Sequence, residues 1–407
     1  MSWADNLDEL DFVNDSDIQN IIAQQKQVQD EARQRIAEVQ HHFDSQAAFR
    51  FEALVGQGVT GLAFSVTERR VLSRSRRLIV KRAADEGGID DLEHEITMLK
   101  KLNGGAHIAS VIATSQDVPQ QRALELFSRL PRFRRRRRNF LIGLPGPTLV
   151  LEYLENGTLT SLRERLKLWG QTIPNRLLWK WYLCLTRACV GLKFPLSLPF
   201  DSKPRLEEIP NGSVNPANIL HGDMHGGNIL IGTAGDFSEH DLVPPLKLID
   251  FAFSEDDNMG DERNMLEIGW HMLDLIIGRA APIGGATRKH NGIETWAGAI
   301  VPEYVENPYP HLDDDLRELV IRCLARNAID RPNLTELLHI CKNAVQNKTA
   351  ASYGPDAMRE TDEEIGHVLQ QLIYGASPPF SDTLSEEYQF IDGSEAISQP
   401  QGKYSIL

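Results

Sequence analysis

One stretch limits what this chain can become more than any other: His221-Gly222-Asp223-Met224-His225-Gly226-Gly227-Asn228-Ile229-Leu230-Ile231. An acid follows a histidine by two positions, an asparagine follows the acid by five, and an apolar run then reads as a strand. Further on, Lys247-Leu248-Ile249-Asp250-Phe251-Ala252 reads as a second strand ending in an acid. The spacing suits phosphoryl transfer. Asp223 can accept a hydrogen bond from an attacking hydroxyl, the Asn228 carbonyl can ligate a magnesium ion, and Asp250 can bridge metal to phosphate.

At these residues the chain resembles the protein-kinase superfamily of eukaryotic type. The His-Gly-Asp form of the loop, with His225 after the acid, is also similar to the aminoglycoside and choline kinases. The resemblance runs from about Phe51 to Lys342. It implies an α+β, two-lobed protein-kinase-like fold, with a small β-rich lobe carrying one key helix and a larger, mainly helical lobe. It divides the chain into an N-terminal segment and helix (1–50), a small lobe (51–155), a large lobe (156–345) and an acidic, largely disordered tail (346–407).

Within the small lobe, Phe51–Val55 and Leu62–Thr67 read as strands flanking Gly56-Gln57-Gly58-Val59-Thr60-Gly61. A dinucleotide site needs a helix after such a loop, whereas a strand follows here. By resemblance Gly56, Gly58 and Gly61 let the backbone fold over the phosphates of ATP, with Ala63 beneath them. Leu78-Ile79-Val80-Lys81 is a third strand, and Lys81 is implied to grip the α- and β-phosphates. The helix predicted over Ile89–Leu102 has an apolar stripe of Leu92, Ile96, Leu99 and Leu102. Glu95 flanks that stripe and is the expected partner of Lys81, with Glu93 as its rival. Thr148–Leu159 reads as a buried strand, a connector and a helix start. By resemblance Glu152–Leu154 would meet the adenine edge, Leu151 would lie behind it and Leu230 would form the floor. Where the family usually carries Ala two residues before the lysine, this chain has Ile79, which narrows the pocket.

In the large lobe Asp223 is implied as base, with Asn228 and Asp250 as Mg2+ ligands. Gly222 replaces the Arg that usually meets an activation-loop phosphate. His225 replaces a Lys; it can hydrogen-bond the transferred phosphate but is mostly neutral near pH 7. Ala252 replaces a Gly. Asn264 leads an expected central helix over Asn264–Gly278 in place of the usual Asp, and can still accept bonds from the catalytic-loop backbone. Only the acidic stretch Phe253–Arg263 separates Asp250 from that helix, too little for a full activation segment. Arg331-Pro332 matches the closing helices of protein kinases, and its Arg lacks the usual Glu, so another carboxylate or water is expected as its partner.

The remaining segments are less specific. Ile18 to about Phe43 has a thin helical stripe, capped by Asp17, and is expected to lie on the outside of the small lobe or to serve as a contact between chains. An insert of about 115–147 carries Arg132–Arg138, six Arg in seven residues, expected as a solvated loop, a nuclear-import signal or an anionic docking patch. Lys193–Asn218 is expected as a surface loop. A short helix is expected over Thr361–Tyr374.

A net charge of −14 disfavours nonspecific binding to nucleic acid or an acidic membrane. No secretory signal opens the chain, and no apolar run approaches membrane-spanning length. Cys184, Cys189, Cys323 and Cys341 lack C-x-x-C spacing and suit buried thiols in a reducing, intracellular compartment, cytoplasmic or nuclear. The expected function is thus an ATP- and Mg2+-dependent kinase of protein Ser or Thr hydroxyls. The alternatives are an ATP-binding pseudokinase or scaffold, and a kinase of small molecules.

Overall fold

The computed structural model describes residues 15–58, 61–70, 74–117, 140–200, 202–235, 237–281, 287–302 and 307–375. It is a mixed α+β molecule: a five-stranded antiparallel sheet near the N-terminus, followed by a mainly helical region. The sheet is formed by β1 (Phe49–Gly58), β2 (Gly61–Glu68), β3 (Arg76–Arg82), β4 (Val111–Thr114) and β5 (Thr148–Glu152), in the order β1-β2-β3-β5-β4. The expected strands are present and longer than predicted; residues 106–110 are irregular, and β4 starts only at Val111.

Alternation along these strands splits the sheet into two faces. Leu62, Phe64, Val66, Leu78, Val80 and Val150 are buried on one face. They pack against Val39 and Phe43 of helix α1 (Asp15–Asp44) and against Phe140, Leu141 and Leu144 at the end of the insert. The N-terminal helix therefore lies on the outside of the sheet. On the other face, register places Ala63 opposite Lys81, Ile79 opposite Leu151 and Lys81 opposite Leu149. Opposed residues share a face, so Lys81 projects on the side where α2 (Ile89–Leu102) packs. Leu92, Ile96 and Leu99 of α2 join Leu149 and Leu151 in the larger core cluster.

That larger core is built on α4 (Asn175–Lys193), buried at almost every position, with α3 (Leu159–Trp169) before it. Helices α5 (Gly260–Ile277), α6 (Asp314–Cys323) and α7 (Leu334–Asn347) pack around it. Two short ribbons flank the His221–Asn228 loop. Strand β6 (Ile219–Leu220) pairs with β9 (Glu255–Asp256), and β7 (Ile229–Ile231) pairs with β8 (Leu246–Leu248). A third, β10 (Arg288–His290) with β11 (Ile293–Thr295), lies in the helical part. Among the described residues, no helix is long and apolar enough to cross a membrane.

Two expectations about loops are corrected. The stretch 193–218 is not simply surface. Glu207 within it is 1% exposed and accepts the His107 N–H at 2.8 Å and the His107 Nδ1–H at 2.7 Å. The other ring nitrogen of His107 lies 2.9 Å from His240 Nε2. Burial pulls the His107 pKa down, but Glu207 beneath it lifts it to about 9; burial and that cation push His240 to about 3. One proton on His107 Nε2 thus bridges the two rings. The charge pattern suggested a solvated loop because this partner lies 100 residues away in sequence.

The tail is the second. Helix α8 (Asp362–Leu369) and the turn after it bury Ile365, Val368, Leu369, Leu372 and Ile373 in the main core. Glu360 accepts from the Asn175 N–H at 2.7 Å and the Arg176 N–H at 2.8 Å. It caps the first turn of α4, whose own preceding residue, Pro174, offers no side-chain acceptor. The helical region therefore extends to about Gly375, not 345. Residues 376–407 and Arg132–Arg138 lie outside the described residues.

Candidate active site

Lys81 is the junction of the site. Its Nζ lies 2.6 Å from Glu95 Oε2 and 2.9 Å from Asp250 Oδ1, joining β3, α2 and the end of the β8 strand. Glu95 is 1% exposed, whereas Glu93 faces solvent. Burial lowers the pKa of the Lys81 ammonium, but the two carboxylates outweigh it and the pKa lies above the usual value. Burial raises the Glu95 pKa, with Lys81 opposing it. A buried charge this well paired is costly to disturb from either side.

Phe251 is fully buried beside the His221 ring, centroids 4.8 Å apart. His221 is buried and its Nε2–H donates to the Ile249 carbonyl, 3.0 Å away; burial holds its pKa at about 4, so it is neutral. Asp250 sits at φ 63°, in the left-handed region that Asp tolerates better than most residues.

Asp223 is half-exposed and faces the same cleft. Asn228 Nδ2 donates to the Asp223 carbonyl at 2.9 Å and to Asp223 Oδ2 at 3.1 Å. This fixes the Asn228 amide with its nitrogen spent on Asp223 and its oxygen free of that contact. Burial raises the Asp223 pKa, His225 lowers it and Asp250 raises it again. His225 accepts the Gly227 N–H on Nδ1 at 2.9 Å, so its proton is on Nε2, 3.6 Å from Asp223 Oδ2. The expected catalytic and metal-binding residues Lys81, Glu95, Asp223, His225, Asn228 and Asp250 are thus brought to one cleft.

The residues expected to meet a nucleotide are placed as follows. Gly58 and Gly61 pair across the β1–β2 turn, and Gly56 pairs with Ala63. Only Gly61 is sterically compelled: a Cβ there would lie 2.3 Å from the Arg82 carbonyl. Leu230 is half-buried between fully buried Ile229 and Ile231, on the opposite side of the strand. Tyr153 and Leu154 are half-buried in the connector. The Glu152 N–H is engaged by the Ser110 carbonyl at 3.1 Å. Its carboxylate takes the Lys247 ammonium at 2.7 Å and the Ser110 N–H at 2.7 Å. Lys247 was not singled out in the sequence, although it alternates with buried Leu246 and Leu248 and so must face the other side of β8.

The acceptor side departs most from expectation. Gly222 has φ 80°, and a Cβ there would lie 2.1 Å from the Phe253 carbonyl. No Arg can stand at this position while that segment keeps its path. Helix α5 begins at Gly260, four residues before the predicted Asn264, so the segment after Asp250 is shorter still. It is also fastened. Ser254 is 2% exposed with its hydroxyl on the Phe251 carbonyl at 2.6 Å, and its own carbonyl takes a bond from His94 of α2 at 2.6 Å. Strand β9 then pairs with β6.

Asn264 accepts the His221 N–H at 3.1 Å and donates to the Ile219 carbonyl at 2.8 Å. Among the described residues Arg331 meets backbone and an aromatic ring in place of a carboxylate: Nε donates to the Ala325 carbonyl at 2.8 Å, and the guanidinium lies over the Trp296 ring. All four cysteines are free and buried.

No protein-family model matches the chain, and no curated protein matches it. The chemistry of the site therefore rests on its own geometry.

Proposed function

We propose that this chain is an ATP- and magnesium-dependent kinase with a two-lobed, protein-kinase-like fold. The observation that carries the reading is the Lys81–Glu95–Asp250 ion triad, assembled from three separate elements beside Asp223 and Asn228. A lysine held between two carboxylates is a fixed positive charge at the floor of a cleft, suited to phosphate oxygens.

The donor set also fits the metal. Asn228 offers an amide oxygen whose nitrogen is already spent on Asp223, and Asp250 offers the carboxylate oxygen that Lys81 does not take. Two hard oxygen donors suit Mg2+, which keeps most of its remaining positions for water and phosphate. When bound, such an ion neutralises charge on the phosphates.

The protein's own part follows from its residues. Lys81 would orient the α- and β-phosphates, and Leu230 and Leu151 would bound the base. Asp223 would take the hydrogen bond of the acceptor hydroxyl and receive its proton as the new P–O bond forms and the bond to the leaving β-phosphate oxygen breaks. Its raised proton affinity suits that task, since a base at the ordinary carboxylate value holds a proton weakly.

A protein hydroxyl of Ser or Thr is the first acceptor to test. A small-molecule acceptor is the second reading. It is favoured by the short, fastened segment Phe253–Met259, which leaves little backbone for a peptide to lie along. The decisive experiment incubates the purified full-length chain with Mg2+ and γ-labelled ATP, alone, with a generic protein acceptor and with a panel of amino alcohols. Label transfer that stops on chelation supports the reading, and the acceptor labelled chooses between the two classes. Mg2+-dependent ATP binding without any transfer would make the chain a scaffold; neither binding nor transfer would remove the proposal.

A further inference from the structure

Helix α5 touches the catalytic loop with three polar side chains spaced along one face: Asn264, Glu267 and His271. Their spacing of three and four residues puts them in line along that face. Asn264 holds the loop before Asp223, at His221. The other two converge on the residue after it. His271 Nε2 donates to the Met224 carbonyl at 2.6 Å, and the Met224 N–H faces the Glu267 carboxylate closely enough to lower its proton affinity. The two peptide groups flanking Met224 thus each face a side chain of one helix.

We propose that Glu267 and His271 are positioning residues that act through Met224, clamping its N–H and C=O so that the Asp223 carboxylate keeps a fixed direction toward the acceptor hydroxyl. The geometry explains why both are retained in a buried setting. Glu267 Oε2 has no partner among the described residues, an arrangement that costs free energy unless the group has a task. His271 is 8% exposed. Burial keeps it neutral, with Nε2 as the donor. The loop ends in two conformationally permissive glycines, Gly226 and Gly227, and an external brace adds rigidity to the bonds it makes within itself.

The groups around Glu267 also make it responsive to pH. Burial raises its pKa to about 7; Arg263 on its own helix opposes this, Asp223 from the catalytic loop adds to it, and the Met224 N–H opposes it. Cys189 of α4 faces it as a neutral thiol, pushed up by burial and by Glu267 itself. A carboxyl raised in the folded state stabilises the fold below about 4.5, and that stability is lost as pH rises through about 7.

The inference rests on the kinase reading for its kinetic arm only. Two variants separate position from charge. E267Q keeps an acceptor for the Met224 N–H and loses the charge; E267L loses both. Hydrogen exchange is measured over the peptide covering 219–231 in the full-length protein. E267L should exchange faster there than wild type, and E267Q should not. Unchanged exchange in both variants would overturn the clamp, whatever the activity. In a transfer assay, E267L should lose about 100-fold in kcat, the scale of a small misplacement of a catalytic group, with KM for ATP unchanged. E267Q should recover most of that rate. A rise in KM for ATP in both variants, with kcat intact, would mean that Glu267 serves the nucleotide side instead. If the wild type transfers no phosphate, the kinase reading fails, and the exchange result still decides the clamp.

Discussion

The two sides of the cleft are held in different ways. On the side assigned to the nucleotide, a charged triad does the holding: Lys81 between Glu95 and Asp250, with Glu152 and Lys247 paired behind it. On the acceptor side, backbone contacts do it. The Phe253 carbonyl fills the space beside Gly222, the Ser254 carbonyl is tied to His94, β9 is paired with β6, and Met224 is held by α5. Charge pairs can be broken by one substitution and respond to pH. Backbone packing responds to volume and to little else. The nucleotide side should therefore be sensitive to charge, and the acceptor side to size.

The largest effect is expected from Lys81→Met. It removes the shared cation and leaves Glu95 and Asp250 facing each other. Breaking a buried pair from one side costs about 3–5 kcal/mol, of which part is recovered here because Glu95 takes up a proton. Its folded pKa then lies further above the unfolded value, so stability falls as pH rises. Thermal denaturation should show a larger loss of Tm at pH 8 than at pH 5, together with loss of nucleotide binding. An equal loss at both pH values would mean that the pair is not electrostatically coupled.

Next comes Gly222→Arg, which restores the residue that the family resemblance leads one to expect. A left-handed backbone costs a non-glycine residue roughly 1–2 kcal/mol, and the Cβ collides with the Phe253 carbonyl. Urea unfolding should show a loss of at least that size, independent of pH. ATP binding should persist while transfer falls. A variant as stable as wild type would show that the segment can move aside, and would undo the contrast between the two sides.

The smallest effect is expected at Ser254. Because the hydroxyl is buried on the Phe251 carbonyl, Ser254→Ala should cost about 1 kcal/mol, a typical net hydrogen bond. Phosphatase treatment should leave the transfer rate unchanged, since a phosphate on Ser254 has neither room nor an Arg at 222 to meet it. A rate that drops in step with phosphate lost from Ser254 would contradict this.

The contrast also explains what could be read in advance. Strands around Lys81, the helix Ile89–Leu102 and the choice of Glu95 over Glu93 were legible, because burial and periodicity are local signals and Glu95 borders an apolar stripe. The short strand after the His221–Asn228 loop was legible because the apolar run Ile229–Ile231 is a local signal. What was missed depends on contacts remote in sequence. Glu207 reads as one acid in a polar loop until His107 is placed over it. Glu360 reads as tail until it meets the amides of Asn175 and Arg176. Glu267 and His271 carried a signal, two polar residues at helical spacing between the apolar neighbours Leu266, Ile268, Trp270 and Met272, which becomes informative once Asn264 is placed on the same face. The substrate was not legible, since the acceptor side is made of backbone contacts that name no ligand.

The central claim, a nucleotide side and an acceptor side that work separately, is tested most directly with Asp223→Asn. ATP affinity in the presence of Mg2+ and the rate of γ-phosphate transfer are measured on the same preparation. Asp223 contacts Asn228 and faces the acceptor, and the triad at Lys81 does not include it. The account predicts unchanged affinity and a transfer rate lower by roughly 100- to 10,000-fold, the usual share of a general base. Transfer at the wild-type rate, or loss of ATP binding in parallel with transfer, would contradict it.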